Sequence, residues 1–143
     1  MDFVFYQKDN EEISRQSIID FLYEHLIRFR DPKEDITKCL DYALAQEKMA
    51  GGFILCALID QKLVGIVVMI KTGMSGYIPE NFLVYVAVDA KQRGKGIGTK
   101  IIQKAVEQCE GDIALHVEYD NPAKRLYERL GFTNKYAEMR YHK

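Results

Sequence analysis

A cluster of glycines and basic residues in the second half of the chain has the composition of an anion-binding loop. Gly94, Gly96 and Gly98 stand at alternate positions, and the absence of a Cβ atom at each lets a ligand approach the backbone. An amphipathic helix is predicted directly after them, and the free N–H groups and positive dipole end of its first turn favour a phosphate. From Ala90 to Val106 there is no acidic residue, and five positions are cationic: Lys91, Arg93, Lys95, Lys100 and Lys104. The stretch therefore predicts a loop that binds a polyphosphate.

The spacing of the glycines excludes two well-known nucleotide loops. A Walker A loop requires G-x-x-x-x-G-K-[ST], and no part of RGKGIGTK supplies that ending at that distance. A dinucleotide-binding turn requires G-x-G-x-x-G, but counting from Gly94 puts Thr99 where the third glycine should be. The pattern [QR]-x-x-G-x-[GA] does fit, from Arg93 to Gly98. At these residues the chain resembles the GNAT superfamily of acyl-CoA-dependent N-acetyltransferases.

A second motif lies downstream, where residues 121–132 are NPAKRLYERLGF. The sequence predicts a helix here, because Asn121 is a favoured N-cap, Pro122 suits the first helical position and Gly131 suits the residue after the helix. The segment also resembles the second GNAT signature, N-x-x-A-x-x-[LF]-Y-x-x-x-G-F, with Ala123 shifted by one position. Two signatures in the right order, separated by one strand, indicate the superfamily far more strongly than either does alone.

The pattern of apolar residues predicts alternating helices and strands. Three- and four-residue spacing predicts a helix from about Glu11 to Arg30, and a second helix starts at Pro32 and ends before Gly51-Gly52. The expected strands are Phe3 to Tyr6, a hairpin of Phe53 to Ile59 with Leu63 to Ile70, Phe82 to Val88, Ile113 to Tyr119, and Phe132 to His142 as a final strand or bent pair. The expected fold is a mixed α/β sheet of six or seven mostly antiparallel strands with about four helices, and the resemblance implies the GNAT fold.

Length and composition limit the classes of protein that fit. A chain of 143 residues with 48% hydrophobic and 29% charged residues predicts one ordinary soluble domain. A net charge of −1 gives no general attraction to nucleic acid or to an anionic membrane. We see no signal peptide or membrane-spanning run, and three cysteines in apolar segments are typical of a reduced, cytoplasmic protein. The three histidines have no metal-ligand spacing, so no metal site is expected.

The resemblance implies acetyl-CoA as the acyl donor and assigns roles to individual residues. The backbone of Val86, Ala87 and Val88 would pair with the pantetheine arm along an open strand edge. The amides of the loop and the hydroxyl of Thr99 would hold the pyrophosphate, through Arg93, Gly94, Lys95, Gly96, Ile97 and Gly98. Asn121 would bond the arm near its thiol end, and Tyr127 would act as the general acid beside the sulfur.

The general base is the least defined part of the predicted site. Related enzymes carry a glutamate on the strand before the loop, but this chain has Phe82 at the corresponding position. Glu80 is our candidate, acting through water. Tyr85, Glu118 or His116 could take the role instead, or the amine could arrive already neutral.

The predicted activity is transfer of an acetyl group from acetyl-CoA to a primary amine of a small molecule or peptide, in a ternary complex. The segments Asp31 to Met49 and Met74 to Asn81 are expected to shape the acceptor pocket, and the protein is expected to be a monomer or a homodimer. Two other classes fit the sequence: a non-catalytic acyl-CoA sensor, which the missing strand glutamate favours, and an interaction protein that uses the fold as a scaffold.

Overall fold

The computed structural model describes residues 1–45 and 50–143. Its strands are β1 (Asp2–Phe5), β2 (Gly52–Ile59), β3 (Lys62–Lys71), β4 (Asn81–Val88) and β5 (Ile113–Leu115). Its α-helices are α1 (Arg15–His25), α2 (Lys33–Leu44), α3 (Ile97–Glu107) and α4 (Ala123–Arg129), with short 3₁₀ turns at Ile27–Phe29 and Ala90–Gln92. This architecture confirms the predicted mixed α/β fold with four helices.

The five strands form one sheet in the order β1-β2-β3-β4-β5. The first four are antiparallel neighbours, and β5 joins β4 in parallel because α3 crosses over between them. The predicted hairpin is confirmed, with Asp60 and Gln61 at positive φ in its two-residue turn. The predicted count of six or seven strands is wrong for the part of the chain described here.

The missing strand is the one expected at Phe132 to His142. Residues 132–143 have no regular secondary structure, and the exposed fractions of Tyr136, Met139 and Tyr141 are 80%, 92% and 89%. A strand needs a neighbour for its backbone hydrogen bonds, and this segment has none in the described chain. The alternating apolar residues of the tail indicated a strand, but no strand of the described chain lies beside the tail to pair with it.

Two helix boundaries also differ from the prediction. The first helix was expected from about Glu11 to Arg30, but it begins at Arg15, where Ser14 and Ser17 form a reciprocal capping box. It ends at His25, because Ile27 adopts a φ of +55° and the chain turns into the first 3₁₀ segment. The helix is therefore shorter at both ends, and its C-terminus lies beside the glycine loop.

The sheet separates two hydrophobic cores. On one face α1 and α2 pack on β-strand side chains, and the fully buried members include Ile18, Leu22, Ile36, Leu40, Ile54 and Ile66. On the other face α3 and α4 pack on Leu55, Val67, Met69 and Leu83, with Ile101, Ile102 and Tyr127 among the buried residues. Each face carries one pair of helices, so β4 has a different environment on each side.

Asn81 is the one buried polar residue in the described chain, with 3% of its surface exposed. Its side-chain amide donates to the carbonyls of Glu110 (2.7 Å) and Asp112 (3.2 Å), and its backbone N–H donates to Asp112 as well (3.0 Å). These bonds fasten the turn after α3 to the start of β4. They therefore fix where β5 begins to pair.

Replacing Asn81 with leucine should lower the free energy of unfolding by about 1–3 kcal/mol, because the two hydrogen bonds of the side-chain amide, to the carbonyls of Glu110 and Asp112, are lost. Urea denaturation, compared at constant slope, measures this loss. Asn134→Leu in the exposed tail is the control and should change stability by less than about 0.5 kcal/mol. Equal effects from the two substitutions would contradict the role of Asn81 as a clamp.

Candidate acyl-CoA site

The central feature of the site is an opening in the sheet between β4 and β5. The two strands pair only from Asn81↔Ile113 to Leu83↔Leu115, while β4 continues to Val88. A β-bulge lies at this point, because Val68 faces Tyr85 but Met69 faces Leu83 across the β3–β4 ladder. The strand predicted to extend from Ile113 to Tyr119 therefore stops at Leu115, where β4 turns away from it.

The register shows which backbone groups of β4 face this opening. Asp89 donates its N–H to the carbonyl of Val64 at 2.9 Å, so alternate residues Ala87 and Tyr85 also direct their backbone groups to β3. Val86 and Val88 direct their N–H and C=O groups to the other side, beyond the end of β5. The predicted pairing of the pantetheine arm with three residues needs correction, because the backbone of Ala87 pairs with Ile66 in β3.

The glycine loop follows β4 and is open at two of its three glycines. Gly94 and Gly96 have φ values of +80° and +78°, and a Cβ atom built at either would meet no atom within 4 Å. Gly98 is different, because its Cβ would lie 3.2 Å from the side chain of Leu126. The lack of a Cβ atom at Gly98 therefore allows α3 to pack against α4.

The first turn of α3 supplies hydrogen-bond donors to the same loop. Gly96 is the N-cap and has no side chain to cap the helix, and among the described residues no acceptor takes the N–H groups of Ile97, Gly98 or Thr99. An open loop next to unpaired amides and a positive helix end fits the pyrophosphate of coenzyme A.

The two basic side chains of the loop are not both free. The Arg93 guanidinium donates to the backbone carbonyl of His25 at 2.6 Å, and the Lys95 ammonium donates to the side chain of Gln92 at 2.9 Å. One nitrogen of the Arg93 guanidinium is therefore engaged by the end of α1, whereas Lys95 bonds only to a neighbouring neutral side chain.

Tyr127 lies on the α3–α4 face of the sheet, with 9% of its surface exposed and its ring packed edge-on against Phe132. Burial, with a smaller contribution from the charge of Glu118, raises the pKa of Tyr127 to about 12. No fully buried side-chain polar atom in the described residues lacks a partner. The Tyr127 hydroxyl makes no hydrogen bond to another described residue, so it reaches the molecular surface.

Asn121 stands just before α4, as the sequence indicated. Its side-chain oxygen accepts the N–H of Ala123 at 2.9 Å, and its amide nitrogen lies 3.4 Å from the Glu118 carboxylate. The Asn121 side-chain oxygen is therefore held by the first residue of α4, and its amide nitrogen makes only the long contact with Glu118.

Glu80, the candidate base, lies at the closed end of the sheet. Its carboxylate packs against Gly111 in the turn after α3, at the end of β4 that pairs with β5. The opening begins at Val84, four residues along β4 and roughly 13 Å away at about 3.3 Å per residue. Pairing of β4 with β5 therefore separates Glu80 from the opening.

The other candidate bases lie closer to the opening. Tyr85 is buried on the α1–α2 face and donates its hydroxyl to Asp31 at 2.6 Å; burial and this carboxylate raise its pKa. His116 follows β5 and packs edge-on against Phe82, with their ring centroids 4.8 Å apart. Tyr85 and His116 were both predicted as candidate bases, but Asp31 was not predicted as the partner of Tyr85, since 54 positions separate them.

Residues 46–49 of the segment expected to shape the acceptor pocket lie outside the described residues.

The described chain thus combines an α/β sheet, a gap between two parallel strands and an open glycine loop that follows β4. The acetyltransferase (GNAT) family model matches residues 18–132, and the chain belongs to this family. Membership confirms the resemblance inferred from the two motifs and places the chain among the acyltransferases. No described helix is long and apolar enough to cross a membrane.

Individual relatives agree with this assignment. N-alpha-acetyltransferase 30 of Xenopus laevis is 34% identical over 91 residues, which cover 60% of this chain and 33% of that protein. N-alpha-acetyltransferase 30 of Schizosaccharomyces pombe is 30% identical over 95 residues, covering 63% of each chain. The chain therefore spans between a third and about two thirds of the length of these relatives.

Solved structures show the same fold. The aminoglycoside 6'-N-acetyltransferase of Acinetobacter haemolyticus superposes with a TM-score of 0.67 at 19% identity, covering 100% of this chain and 98% of that chain. The ribosomal-protein-alanine N-acetyltransferase of Brucella melitensis has a TM-score of 0.65 at 20% identity, with 99% and 98% coverage.

Proposed function

We propose that this chain transfers an acetyl group from acetyl-CoA to a primary amine by direct attack within a ternary complex. The observation that carries the proposal is the opening beside β4, where Val86 and Val88 direct their backbone groups outward and the glycine loop follows at the end of the same strand. The buried phenol of Tyr127 lies on the α3–α4 face, and the Tyr85–Asp31 pair lies on the opposite face. A donor and an acceptor can therefore approach one gap from two sides.

The chain has suitable groups for each part of coenzyme A. The amides of the loop and of the first turn of α3, residues 93–99, would hold the pyrophosphate, aided by the Thr99 hydroxyl and the Lys95 ammonium. Val86 and Val88 would bond the amide groups of the pantetheine arm as an added strand would. Asn121 would contact the arm near its sulfur. The bound thioester would supply the acetyl group as an activated acyl donor.

Tyr127 would donate its proton toward the departing sulfur. A free thiol has a pKa of about 8.5, below the value of about 12 for this phenol, so complete transfer to a thiolate in water would be uphill. In the buried site the thiolate is disfavoured by the same loss of solvation. A hydrogen bond from Tyr127 would therefore stabilise negative charge as it develops, and the N–H of Val86 is suited to do the same for the carbonyl oxygen.

The acceptor is best explained as an α-amino group. At pH 7 an α-amine of pKa about 7.7–8.0 needs only about 1 kcal/mol to become neutral, whereas a lysine side chain of pKa about 10.4 needs about 4–5 kcal/mol. With Phe82 in the place of the strand glutamate and Glu80 at the closed end, a low-pKa amine reduces the demand on a base. The N-alpha-acetyltransferase 30 relatives support the same choice by their name.

The decisive experiment is a panel of amines assayed for release of free thiol from acetyl-CoA. We expect peptides with a free α-amine and no lysine to react faster at pH 7 than polyamines, aminoglycosides or Nα-blocked lysine peptides. For the peptide, kcat/KM should rise with pH, with its midpoint near pH 8 and a plateau about one pH unit higher, since the neutral amine is the nucleophile. The Nα-acetylated form of the same peptide is the matched control and should release no thiol.

A second candidate, the non-catalytic acyl-CoA sensor, is favoured by Phe82 in the place of the strand glutamate. It predicts tight binding of acetyl-CoA with no thiol release from any amine in the panel. That result would reject the enzyme and keep the binding site, whereas failure to bind acetyl-CoA would reject both.

A further inference from the structure

His25, the last residue of α1, touches the start of the glycine loop at two points. Its ring nitrogen Nδ1 accepts the backbone N–H of Ala90 at 3.1 Å. Its backbone carbonyl accepts the Arg93 guanidinium at 2.6 Å. The imidazole itself is held in place, because its side chain is 10% exposed and its ring packs on Phe21 with centroids 4.4 Å apart.

The electrostatics of these two hydrogen bonds are favourable. The Nδ1 atom accepts the Ala90 N–H, and the other ring nitrogen, Nε2, lies 3.8 Å from the Glu24 carboxylate. The carbonyl of His25 belongs to the last turn of α1, whose end carries partial negative charge, and the positive Arg93 side chain neutralises it. Two hydrogen bonds, donated by the Ala90 N–H and by the Arg93 side chain, therefore join the start of the loop to the end of α1.

The loop has few other anchors on this side. Asp89 is fixed to Val64 of β3 and caps the short turn Ala90–Gln92 through the N–H of Lys91 (2.8 Å). Beyond Arg93 the positions of Gly94 and Gly96 are open, with no atom within 4 Å of a Cβ built there. The orientation of the amides between these glycines therefore depends on how the preceding turn is held.

We propose that His25 is a positioning residue that sets the coenzyme A-binding conformation of the glycine loop. The inference rests on the proposed function only in that the loop binds the coenzyme A pyrophosphate. His25 acts through Ala90 and Arg93 and lies outside the reacting atoms. Its replacement should therefore weaken binding of the donor and leave the chemical step unchanged.

Two variants separate positioning from simple packing. His25→Phe keeps an aromatic ring against Phe21 but removes the acceptor for Ala90. His25→Asn loses the ring but retains a side-chain oxygen close to the place of Nδ1. Calorimetry should show coenzyme A binding about tenfold more weakly to His25→Phe, and to within about threefold of wild type for His25→Asn, as expected for one lost hydrogen bond.

Kinetics add a readout that a structural role would not produce. For His25→Phe the KM for acetyl-CoA should rise about tenfold while kcat and the KM for the amine stay within about twofold of wild type. The thermal midpoint without ligand should match wild type. Normal coenzyme A affinity in His25→Phe would overturn the inference and leave the proposed function intact.

Two further outcomes are also decisive. If both variants bind coenzyme A weakly and also melt early, His25 is a packing residue and the positioning role is wrong. If the wild-type protein itself does not bind coenzyme A, the proposed function fails, and this inference fails with it.

Discussion

Replacing Tyr127 with phenylalanine is expected to lower kcat about 100-fold or more, the usual loss when a positioned acid is removed. The phenylalanine ring fills the same space against Phe132, so folding and packing should be preserved. Coenzyme A affinity, measured by calorimetry, should change by less than about twofold. Equal losses in kcat and in binding would instead assign Tyr127 a packing role.

The elevated pKa of Tyr127 leads to a prediction of how kcat varies with pH. Since burial raises this pKa to about 12, the phenol stays protonated through the range in which an α-amine becomes neutral. The kcat of the wild type should therefore show no loss on the alkaline side below about pH 11.

Tyr119→Phe is the matched control for Tyr127→Phe. Because Tyr119 is 78% exposed, the activity of this variant should equal that of wild type.

Replacing Gly96 with valine is expected to abolish stabilisation by coenzyme A. The position has a φ of +78° and open space beyond it, so a branched side chain would occupy the volume in front of the first-turn amides of α3. Wild type should gain about 2.7 kcal/mol at a ligand concentration one hundred times Kd. The variant should gain none, as measured by the shift of its thermal midpoint.

Gly76→Val separates ligand binding from backbone strain. Gly76 has nearly the same φ, +77°, and equally open surroundings, but it lies in the loop between β3 and β4. Each substitution should cost the unliganded protein about 1–2 kcal/mol, because a side chain is forced into the left-handed region. Only Gly96→Val should lose the response to coenzyme A; the same loss in Gly76→Val would refute the assignment of the loop.

Local sequence patterns predicted much of the fold. The short polar segment Asp60-Gln61-Lys62 between two apolar runs predicted the β2–β3 hairpin, and the run ending at Val88 predicted β4. Such features depend on residues close in the chain, where backbone preference and side-chain spacing act together. The loop and the Tyr127 helix were found for the same reason, since each is a short continuous motif.

Pairing between distant residues was not predictable in this way. The contact of His25 with Ala90 spans 65 residues and that of Tyr85 with Asp31 spans 54, and neither leaves a signal in spacing or composition. The expected base Glu80 was chosen by its place in the sequence, but the Asn81 clamp and the β4–β5 ladder put it at the closed end of the sheet.

The sequence by itself determined the family, the mixed α/β architecture, the glycine loop and the phenol in α4, because local chemistry specifies each of them. Only the tertiary structure decided where β4 and β5 part, that Val86 and Val88 but not Ala87 face the gap, and that Arg93 is bound to His25. These features arise from strand register and from packing between segments far apart in the chain, and both are set by the whole sheet.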